Sequence, residues 1–168
     1  YSFANGNRYE GGFDNNIRNG EGVFTYADGS SYEGAYVNDK KTDDNAKMTT
    51  VYSDGSRDVY VGAYLNDARH GKGTYTFSNG DVYEGDFENG ERSGKGRFAW
   101  ANGEVYEGDF SKGNPDGYGR YTWPGGNVYE GPFVNNARTG KGRFMFASGD
   151  FYEGDFIGGA RTGKGKYR

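Results

Sequence analysis

Residues Tyr83 to Val105, YEGDFENGERSGKGRFAWANGEV, form one copy of a unit that recurs along the chain. The unit opens on Tyr-Glu-Gly, continues through a glycine pair at Gly94 and Gly96, and closes after an Asn-Gly turn. The same opening returns at Tyr106, which is 23 residues further on. Self-similarity at a period of roughly 20 to 50 residues is typical of repeat architectures, in which each unit buries its apolar face against its neighbours.

Seven openings divide the chain at a period of 23 residues, interrupted once by a gap of 28. Residues 1–8 match the second half of a further unit, and the last unit stops soon after its glycine pair. We interpret the sequence as a single array over residues 1–168, cut from a longer protein and without a capping unit at either end. The openings are Tyr9, Tyr32, Tyr60, Tyr83, Tyr106, Tyr129 and Tyr152.

The unit that opens at Tyr32 is degenerate. Aligning Tyr52 with Trp100 predicts that Ala46 and Met48 replace the glycine pair. The same alignment places three extra residues before Ala46 and two more after Gly55. We expect both insertions to lie in loops.

Composition limits the classes of protein that this chain can belong to. Leu, Ile, Val and Met together number 14, against 30 Phe, Tyr and Trp and 32 Gly. A conventional packed core is hard to build from such a chain, which favours an ordered array in which each unit contacts only its neighbours. The net charge of −4 argues against a nucleic-acid partner, which requires a basic face. No apolar run approaches the roughly 18 residues of a membrane span.

Alternation of residue types predicts the secondary structure. In each unit, two short segments place aromatic residues and glycines on one face and charged residues on the other, as expected of half-buried strands. Pairing them with Phe87 opposite Gly94 brings Asp86 opposite Lys95. We therefore predict an all-β fold, an elongated single-layer twisted ribbon of stacked antiparallel β-hairpins.

The complete pattern reads Tyr-Glu-Gly-x-Phe, about six loop residues, Gly-x-Gly-x-aromatic-x-aromatic, and then x-x-Gly. This pattern resembles the MORN (membrane occupation and recognition nexus) repeat over essentially the whole chain. The resemblance implies a ribbon of β-hairpins with a scaffold or adaptor role in cytoskeletal, ciliary or membrane-junction assemblies. It also implies a cytoplasmic location associated with the cytoskeleton or a membrane, and homodimers formed through the ends of the array. The last strand, from Gly163 to Tyr167, would supply such an end.

The aromatic face is the predicted binding site. A single-layer sheet has no second layer to cover its rings, and large exposed apolar strips usually mark interaction sites. We therefore predict a groove that binds a helix or an extended peptide of another protein. Its predicted residues are Tyr83, Phe87, Phe98, Trp100, Tyr106, Phe110, Tyr121, Trp123, Tyr129 and Phe133. Alternatively, twisting of the sheet closes the groove and makes the same rings the core.

A second functional reading concerns a series of arginines in the long loop of the unit, which would line one edge of the ribbon. They are Arg69, Arg92, Arg138 and Arg161. Cations arranged along an edge can contact phosphoinositides or other anionic lipids. The alternative function is therefore a membrane-binding module, with at most weak lipid contact because the net charge is negative.

Several patterns that suggest catalysis have simpler explanations. The Gly-x-Gly pairs lack the spacing of nucleotide-binding loops. The repeated carboxylate pair Glu84 and Asp86 could suggest a glycosidase, but it recurs along a charged face with basic residues opposite. His70 stands alone in a chain without cysteine, which argues against a zinc site. We expect no enzymatic activity, no cofactor and no metal ion.

Overall fold

The computed structural model of the protein describes residues 1–168, which form β-strands and turns and no helix. The chain divides into two compact units, Tyr1–Glu91 and Arg92–Arg168. The strands of the first unit are β1 (Arg8–Asp14), β2 (Ile17–Thr25), β3 (Ser31–Val37), β4 (Lys40–Lys41), β5 (Asp43–Val51), β6 (Arg57–Leu65), β7 (Ala68–Thr76) and β8 (Val82–Glu88). Those that follow are β9 (Glu91–Ala99), β10 (Val105–Ser111), β11 (Asn114–Thr122), β12 (Val128–Val134), β13 (Ala137–Arg138), β14 (Gly140–Met145), β15 (Phe151–Ile157) and β16 (Ala160–Tyr167).

Within each unit, strands that follow one another along the chain are antiparallel neighbours in the sheet. The two-residue strands β4 and β13 lie beside this path and pair with β3 and β12. The predicted all-β fold of stacked antiparallel hairpins is therefore confirmed. None of the chain forms a helix with the length and apolar character needed to cross a membrane.

The hairpins depart from the predicted register at the first glycine of each pair. In β10–β11, Tyr106 pairs with Tyr121, but Phe110 pairs with Pro115 and not with Gly117. Gly117 has a φ of 113°, a conformation that glycine adopts readily, and it lies in the returning strand where the register shifts. The same shift occurs in β1–β2, β6–β7 and β15–β16. The prediction of a phenylalanine opposite this glycine is wrong for these hairpins.

The shift changes which charges meet on the outer face. The lysine after the first glycine lies opposite the aspartate of the following repeat: Lys95 Nζ is 2.5 Å from Asp109 Oδ1. Lys72 likewise contacts Asp86 at 2.6 Å. These ion pairs therefore connect adjacent repeats.

The opening tyrosine of each repeat lies over glycines. Tyr106 is fully buried, and a Cβ atom added to Gly119 would overlap its ring. Its hydroxyl donates a hydrogen bond of 2.8 Å to the carbonyl oxygen of Asp109. The bond from the tyrosine hydroxyl to the carbonyl three residues later recurs in every full repeat, from Tyr9, Tyr32, Tyr60, Tyr83, Tyr106, Tyr129 and Tyr152.

Edge-to-face ring contacts join one repeat to the next. The Tyr106 ring lies 5.2 Å from Phe110 in its own strand and 5.0 Å from Phe133 in the following repeat. Tyr129 lies between Phe133 and Phe156 in the same way, at 5.3 and 4.9 Å. Such pairs stabilise a protein by about 0.5–1.5 kcal/mol beyond the area that they bury. The core is thus a line of tyrosines, each held between two rings.

The second repeat follows the same plan, but its predicted alignment was wrong. Tyr32 pairs with Met48, so Met48 takes the position of Phe98, and Ala46 alone takes that of the second glycine. The remaining insertions lengthen the strands: β6 has nine residues, whereas its counterparts β8 and β10 have seven. The added residues pair with each other, Thr50 with Asp58 and Val51 with Arg57, and both Tyr32 and Tyr60 stay buried. The array therefore accommodates the longer repeat without losing its core.

Asp58 is a buried carboxylate that links two repeats of the first unit. Its Oδ2 accepts hydrogen bonds of 2.7 Å from the hydroxyls of Tyr52 and Tyr75, and its Oδ1 accepts one of 2.8 Å from the backbone N–H of Ser78. Burial acts to raise the pKa of Asp58, but these hydrogen bonds outweigh it and hold the pKa below its usual value.

Substituting a glycine under a tyrosine ring should destabilise the protein. We expect Gly119→Ala to lower the free energy of unfolding by about 1–3 kcal/mol, because its methyl group overlaps the Tyr106 ring. Gly125→Ala is the matched control, since a Cβ there meets no atom within 4 Å. Urea denaturation measures both variants. Equal stability of the two would contradict the packing that we describe.

The Asp58 network should make stability depend on pH in the acid range. A carboxyl group with a depressed folded-state pKa stabilises the fold above its unfolded pKa of about 3.9, and this contribution disappears as the pH falls through the folded value. We expect Asp58→Asn to cost about 1–3 kcal/mol at pH 7, because the tyrosine hydroxyls lose a charged acceptor. The difference from wild type should shrink below about pH 4.

Denaturation at pH 7 and at pH 3 tests this expectation. Glu33→Gln is the control: Glu33 lies 3.9 Å from Lys47 in a half-exposed ion pair, whose loss should cost less than about 1 kcal/mol. A difference between wild type and Asp58→Asn that stays constant over this pH range would show that the charge of Asp58 has no stabilising role.

Candidate protein-binding surface

Seven of the ten predicted groove residues are core residues in the structure. Each is at most 7% exposed, because its ring packs on glycines and on rings of the adjoining repeat. These residues are Tyr83, Phe87, Phe98, Tyr106, Phe110, Tyr129 and Phe133. Trp100, Tyr121 and Trp123 are only partly buried. The groove remains a prediction, and these three side chains are the part of it that a partner can reach.

The partly buried rings continue as a contiguous row in the second unit, which we call the aromatic row: Trp100, Tyr121, Trp123, Phe144 and Phe146. Ring centroids are 5.3 Å apart between Trp100 and Tyr121, and 4.5 Å between Tyr121 and Trp123. The next separations are 5.4 Å, from Trp123 to Phe144, and 4.9 Å, from Phe144 to Phe146. The row runs along the sheet at the ends of the alternate strands β9, β11 and β14, and each ring contacts the next.

The arginines that we predicted to line an edge lie over this aromatic face. The guanidinium of Arg138 is 5.3 Å from the Trp123 ring and 5.6 Å from the Tyr129 ring. Arg69 stacks in the same way on Tyr75 and Phe87, at 4.9 and 5.4 Å. The lipid-binding edge formed by these arginines stays a prediction.

The register shift explains this position. It brings Arg138 directly opposite Phe133 and Arg161 directly opposite Phe156, so that each arginine shares the aromatic face. The sequence did carry a signal, because Arg92 precedes Phe98 by an even number of residues and has the same parity along the strand. Arg92 accordingly lies 5.0 Å from the Phe98 ring.

Arg138 and Arg161 line a cleft of about 430 Å³ together with Phe144, Phe146 and Phe156. Arg138 is half-buried, and burial lowers the pKa of its guanidinium. Its Nη2 donates a hydrogen bond of 2.6 Å to the carbonyl oxygen of Gly159, and no carboxylate lies within ion-pair distance of it. This cleft is therefore aromatic and cationic.

Pro115 interrupts the series of cations. It pairs with Phe110, as Arg138 pairs with Phe133, so proline stands where the neighbouring repeats have arginine. Pro115 is buried and lies in the same repeat as Tyr121 and Trp123. Of the aromatic row, Tyr121 and Trp123 belong to the repeat that lacks the cation, and Arg138 of the next repeat contacts the Trp123 ring. The sequence analysis did not identify this residue as part of the site.

A larger cleft, of about 1060 Å³, lies in the first unit. Its lining includes Arg18, Phe24, Tyr26 and Tyr36, but the Arg18 guanidinium forms an ion pair with the carboxylate of Asp39, which also lines the cleft. Lys41 and Asp67 also line this cleft, so it contains carboxylates as well as cations. The cleft of the second unit is smaller but carries charge without an acidic partner.

The opposite face of the sheet is charged and internally compensated. Arg97 contacts Glu107 at 3.2 Å, and Arg120 contacts Glu130 at 3.4 Å, in addition to the lysine–aspartate pairs. Of the carboxylates that resemble a glycosidase pair, Asp86 contacts Lys72 and Glu84 lies opposite Thr74, while the equivalent Glu107 and Asp109 contact Arg97 and Lys95 of the preceding repeat. No three His, Asp or Glu side chains converge on a point that could hold a metal ion.

Comparison with known proteins agrees with the repeat pattern and the fold. The MORN repeat family model matches residues 9–31, 60–82, 83–105, 106–128, 129–151 and 152–168. The chain belongs to the MORN repeat family, as the sequence pattern predicted. The degenerate unit between residues 32 and 59 lies outside the matched ranges. A search of curated proteins finds no match to this sequence.

Among solved structures, the chain is similar to the TCP domain of SAS-4 (dCPAP) from Drosophila melanogaster, in complex with a proline-rich motif of Ana2 (dSTIL). The TM-score is 0.53 at 15% identity, over 96% of this chain and 88% of that chain. At this identity the likeness concerns the fold alone. A streptogramin B lyase structure covers 92% of this chain and 75% of its own at 14% identity, but its TM-score is only 0.22.

Proposed function

We propose that this protein is a non-enzymatic scaffold that binds a segment of another protein, a helix or an extended peptide, on the aromatic row. The observation that carries the proposal is the continuity of the row, with neighbouring ring centroids 4.5–5.4 Å apart and the rings still partly accessible. Large rigid rings with a polar tip are effective anchors, because they bury much area and lose little conformational freedom. The core rings beneath hold them in place.

Two further observations support this proposal. The Drosophila TCP domain, which has a similar fold, carries a bound segment of a second protein. MORN repeats form a family that implies scaffold and adaptor roles, and the opposite face of this sheet is occupied by its own ion pairs. We propose that the protein acts in a cytoplasmic assembly associated with the cytoskeleton or a membrane.

Removing either tryptophan should weaken the binding of a partner. Once a partner has been isolated with the full chain, we expect Trp100→Ala and Trp123→Ala each to cost about 2 kcal/mol or more of binding free energy, because both rings are anchors in the row. Tyr118→Ala is the matched control, since Tyr118 is 60% exposed and lies off the row in the same unit. Isothermal titration calorimetry measures the affinities, and thermal unfolding confirms that each variant is folded.

An unchanged affinity in both folded tryptophan variants would place the binding site elsewhere on the protein. A loss of affinity in Tyr118→Ala alone would assign the site to the charged face.

The homodimer remains a prediction, which follows from the family resemblance and from the strand β16 with its lysines Lys164 and Lys166. We expect sedimentation equilibrium to give the mass of two chains. The mass of one chain at a high protein concentration would refute the expectation.

A further inference from the structure

We propose that the segment bound on the aromatic row is extended and acidic. One of its carboxylates docks in the cleft between Arg138 and Arg161, and uncharged apolar side chains cover Trp123, Tyr121 and Trp100. This inference rests on the proposed function and specifies the chemistry of the partner.

The charge distribution supports the assignment of an acidic residue to the partner. Seven basic residues of the charged face each lie within 4.0 Å of a carboxylate: Lys47, Lys72, Lys95, Arg97, Arg120, Lys141 and Arg143. Arg138 and Arg161 have no such partner, although Arg138 is half-buried. A partly desolvated cation gains from a carboxylate that can form two parallel hydrogen bonds with its guanidinium.

The donors of the two guanidinium groups are only partly used. Arg138 donates to the carbonyl oxygen of Gly159, and Arg161 donates to the Tyr167 hydroxyl at 2.6 Å. A guanidinium has five N–H donors, so each retains several for a ligand. The aromatic walls of the cleft, Phe144 and Phe146, would hold a carboxylate in surroundings of low polarity, where the charge interaction is stronger than in water.

The replacement of arginine by Pro115 supports the assignment of apolar residues to the partner. Proline replaces the cation in the repeat that contains Tyr121 and Trp123. A charged side chain of a partner would gain no counter-ion from that repeat, whereas an apolar one would cover ring surface. Proline or aliphatic residues packed on Trp and Tyr rings are a common mode of recognising extended segments. The cationic cleft and the apolar rings therefore predict different residue types at adjoining positions of the partner.

The repeat spacing favours an extended segment over a helix. Neighbouring strands lie about 4.8 Å apart, so equivalent rings in consecutive repeats are about 9.6 Å apart. A polyproline II segment advances about 9.3 Å in three residues, which brings every third side chain over a new repeat. Two turns of an α-helix advance about 10.8 Å, which matches the repeat spacing less closely than the polyproline II rise does. We expect apolar residues at positions i and i+3 and an acidic residue at i+6, in either chain direction.

Anionic lipid is the competing ligand for the same arginines. A flat bilayer surface contacts cations that project into solvent, whereas Arg138 lies against four rings at 5.3–5.8 Å and is half-buried. A single side chain can enter a cleft of about 430 Å³ more easily than a membrane surface can reach into it. The geometry thus favours a protein segment.

Tryptophan fluorescence can report on binding at this site. Its only two tryptophans, Trp100 and Trp123, both belong to the aromatic row, so their fluorescence reports on what covers it. The full chain is titrated with synthetic peptides that carry proline at i and i+3 and glutamate at i+6, in both chain directions, and with matched peptides that carry glutamine at i+6. We expect one glutamate peptide to change the fluorescence and to bind about tenfold or more tightly than its glutamine match. We also expect its affinity to fall with rising salt.

Three variants locate the carboxylate. Arg161→Gln and Arg138→Gln should each remove most of the preference for glutamate and leave the affinity for the glutamine peptide nearly unchanged. Arg120→Gln is the matched control, because Arg120 pairs with Glu130 on the charged face. Arg161 is exposed in the structure, so Arg161→Gln remains informative if Arg138→Gln fails to fold.

A fourth variant tests the apolar part of the site. Pro115→Arg introduces the residue that neighbouring repeats have at this position, so the backbone should accept it. We expect Pro115→Arg to weaken the contacts of the peptide prolines with Trp123 and Tyr121. The affinity for both the glutamate and the glutamine peptide should therefore fall. An unchanged affinity would overturn the role assigned to the interruption.

The remaining outcomes separate this inference from the proposed function. Equal affinity for the glutamate and glutamine peptides would overturn the acidic assignment and leave the proposed function standing. No response to any peptide, together with a partner whose affinity survives Trp100→Ala and Trp123→Ala, would overturn both. Binding to vesicles that contain phosphatidylserine and phosphoinositide is measured by flotation. If the two arginine variants lose this binding, and the protein shows no preference between the glutamate and glutamine peptides, the cleft is assigned to lipid headgroups.

Discussion

The ring of each opening tyrosine lies over glycines, and the rest of the structure depends on this contact. Tyr106 occupies the space in which a side chain at Gly119 would stand, and its hydroxyl satisfies the carbonyl of Asp109. The ring thereby presents its sides to Phe110 and to Phe133 of the following repeat. A sheet of one layer can thus bury aromatic side chains without a second layer, because glycine leaves room for a ring directly on the backbone.

The first glycine of each pair has a different role from the second. Its positive φ accompanies a shift in the register of the hairpin, and the shift moves a cation onto the aromatic face in most repeats. It also leaves the lysine that follows this glycine opposite an aspartate of the next repeat. Exposed ion pairs contribute little stability, with a median of about 0–1 kcal/mol, so the ring contacts carry more of the cohesion between repeats.

Two kinds of position therefore exist on the aromatic face. The inner rings stack from repeat to repeat and are needed for folding, whereas the outer rings and the residue beside them can vary without loss of the core. The tryptophans occupy outer positions of this kind, and the buried Pro115 takes the place of an arginine in the repeat that contains Trp123. Because the stability of a repeat protein is approximately a sum over units and their interfaces, a change at such a position alters one local surface and leaves distant repeats intact. This separation is what allows a uniform fold to carry one distinctive site.

The sequence by itself determined the period, the strands, the turns, the all-β class and the division between an aromatic and a charged face. These features follow from local alternation and from turn glycines, which are properties of short stretches of chain. Only the tertiary structure decided which rings are buried, since Tyr106 and Trp100 have the same parity but only Tyr106 lies over the glycines Gly108 and Gly119 and is fully buried. The side of the sheet on which Arg138 lies depends on the register shift between paired strands. The alignment of Met48 depends on a pair of lengthened strands. The residue pattern of a single strand contains neither feature.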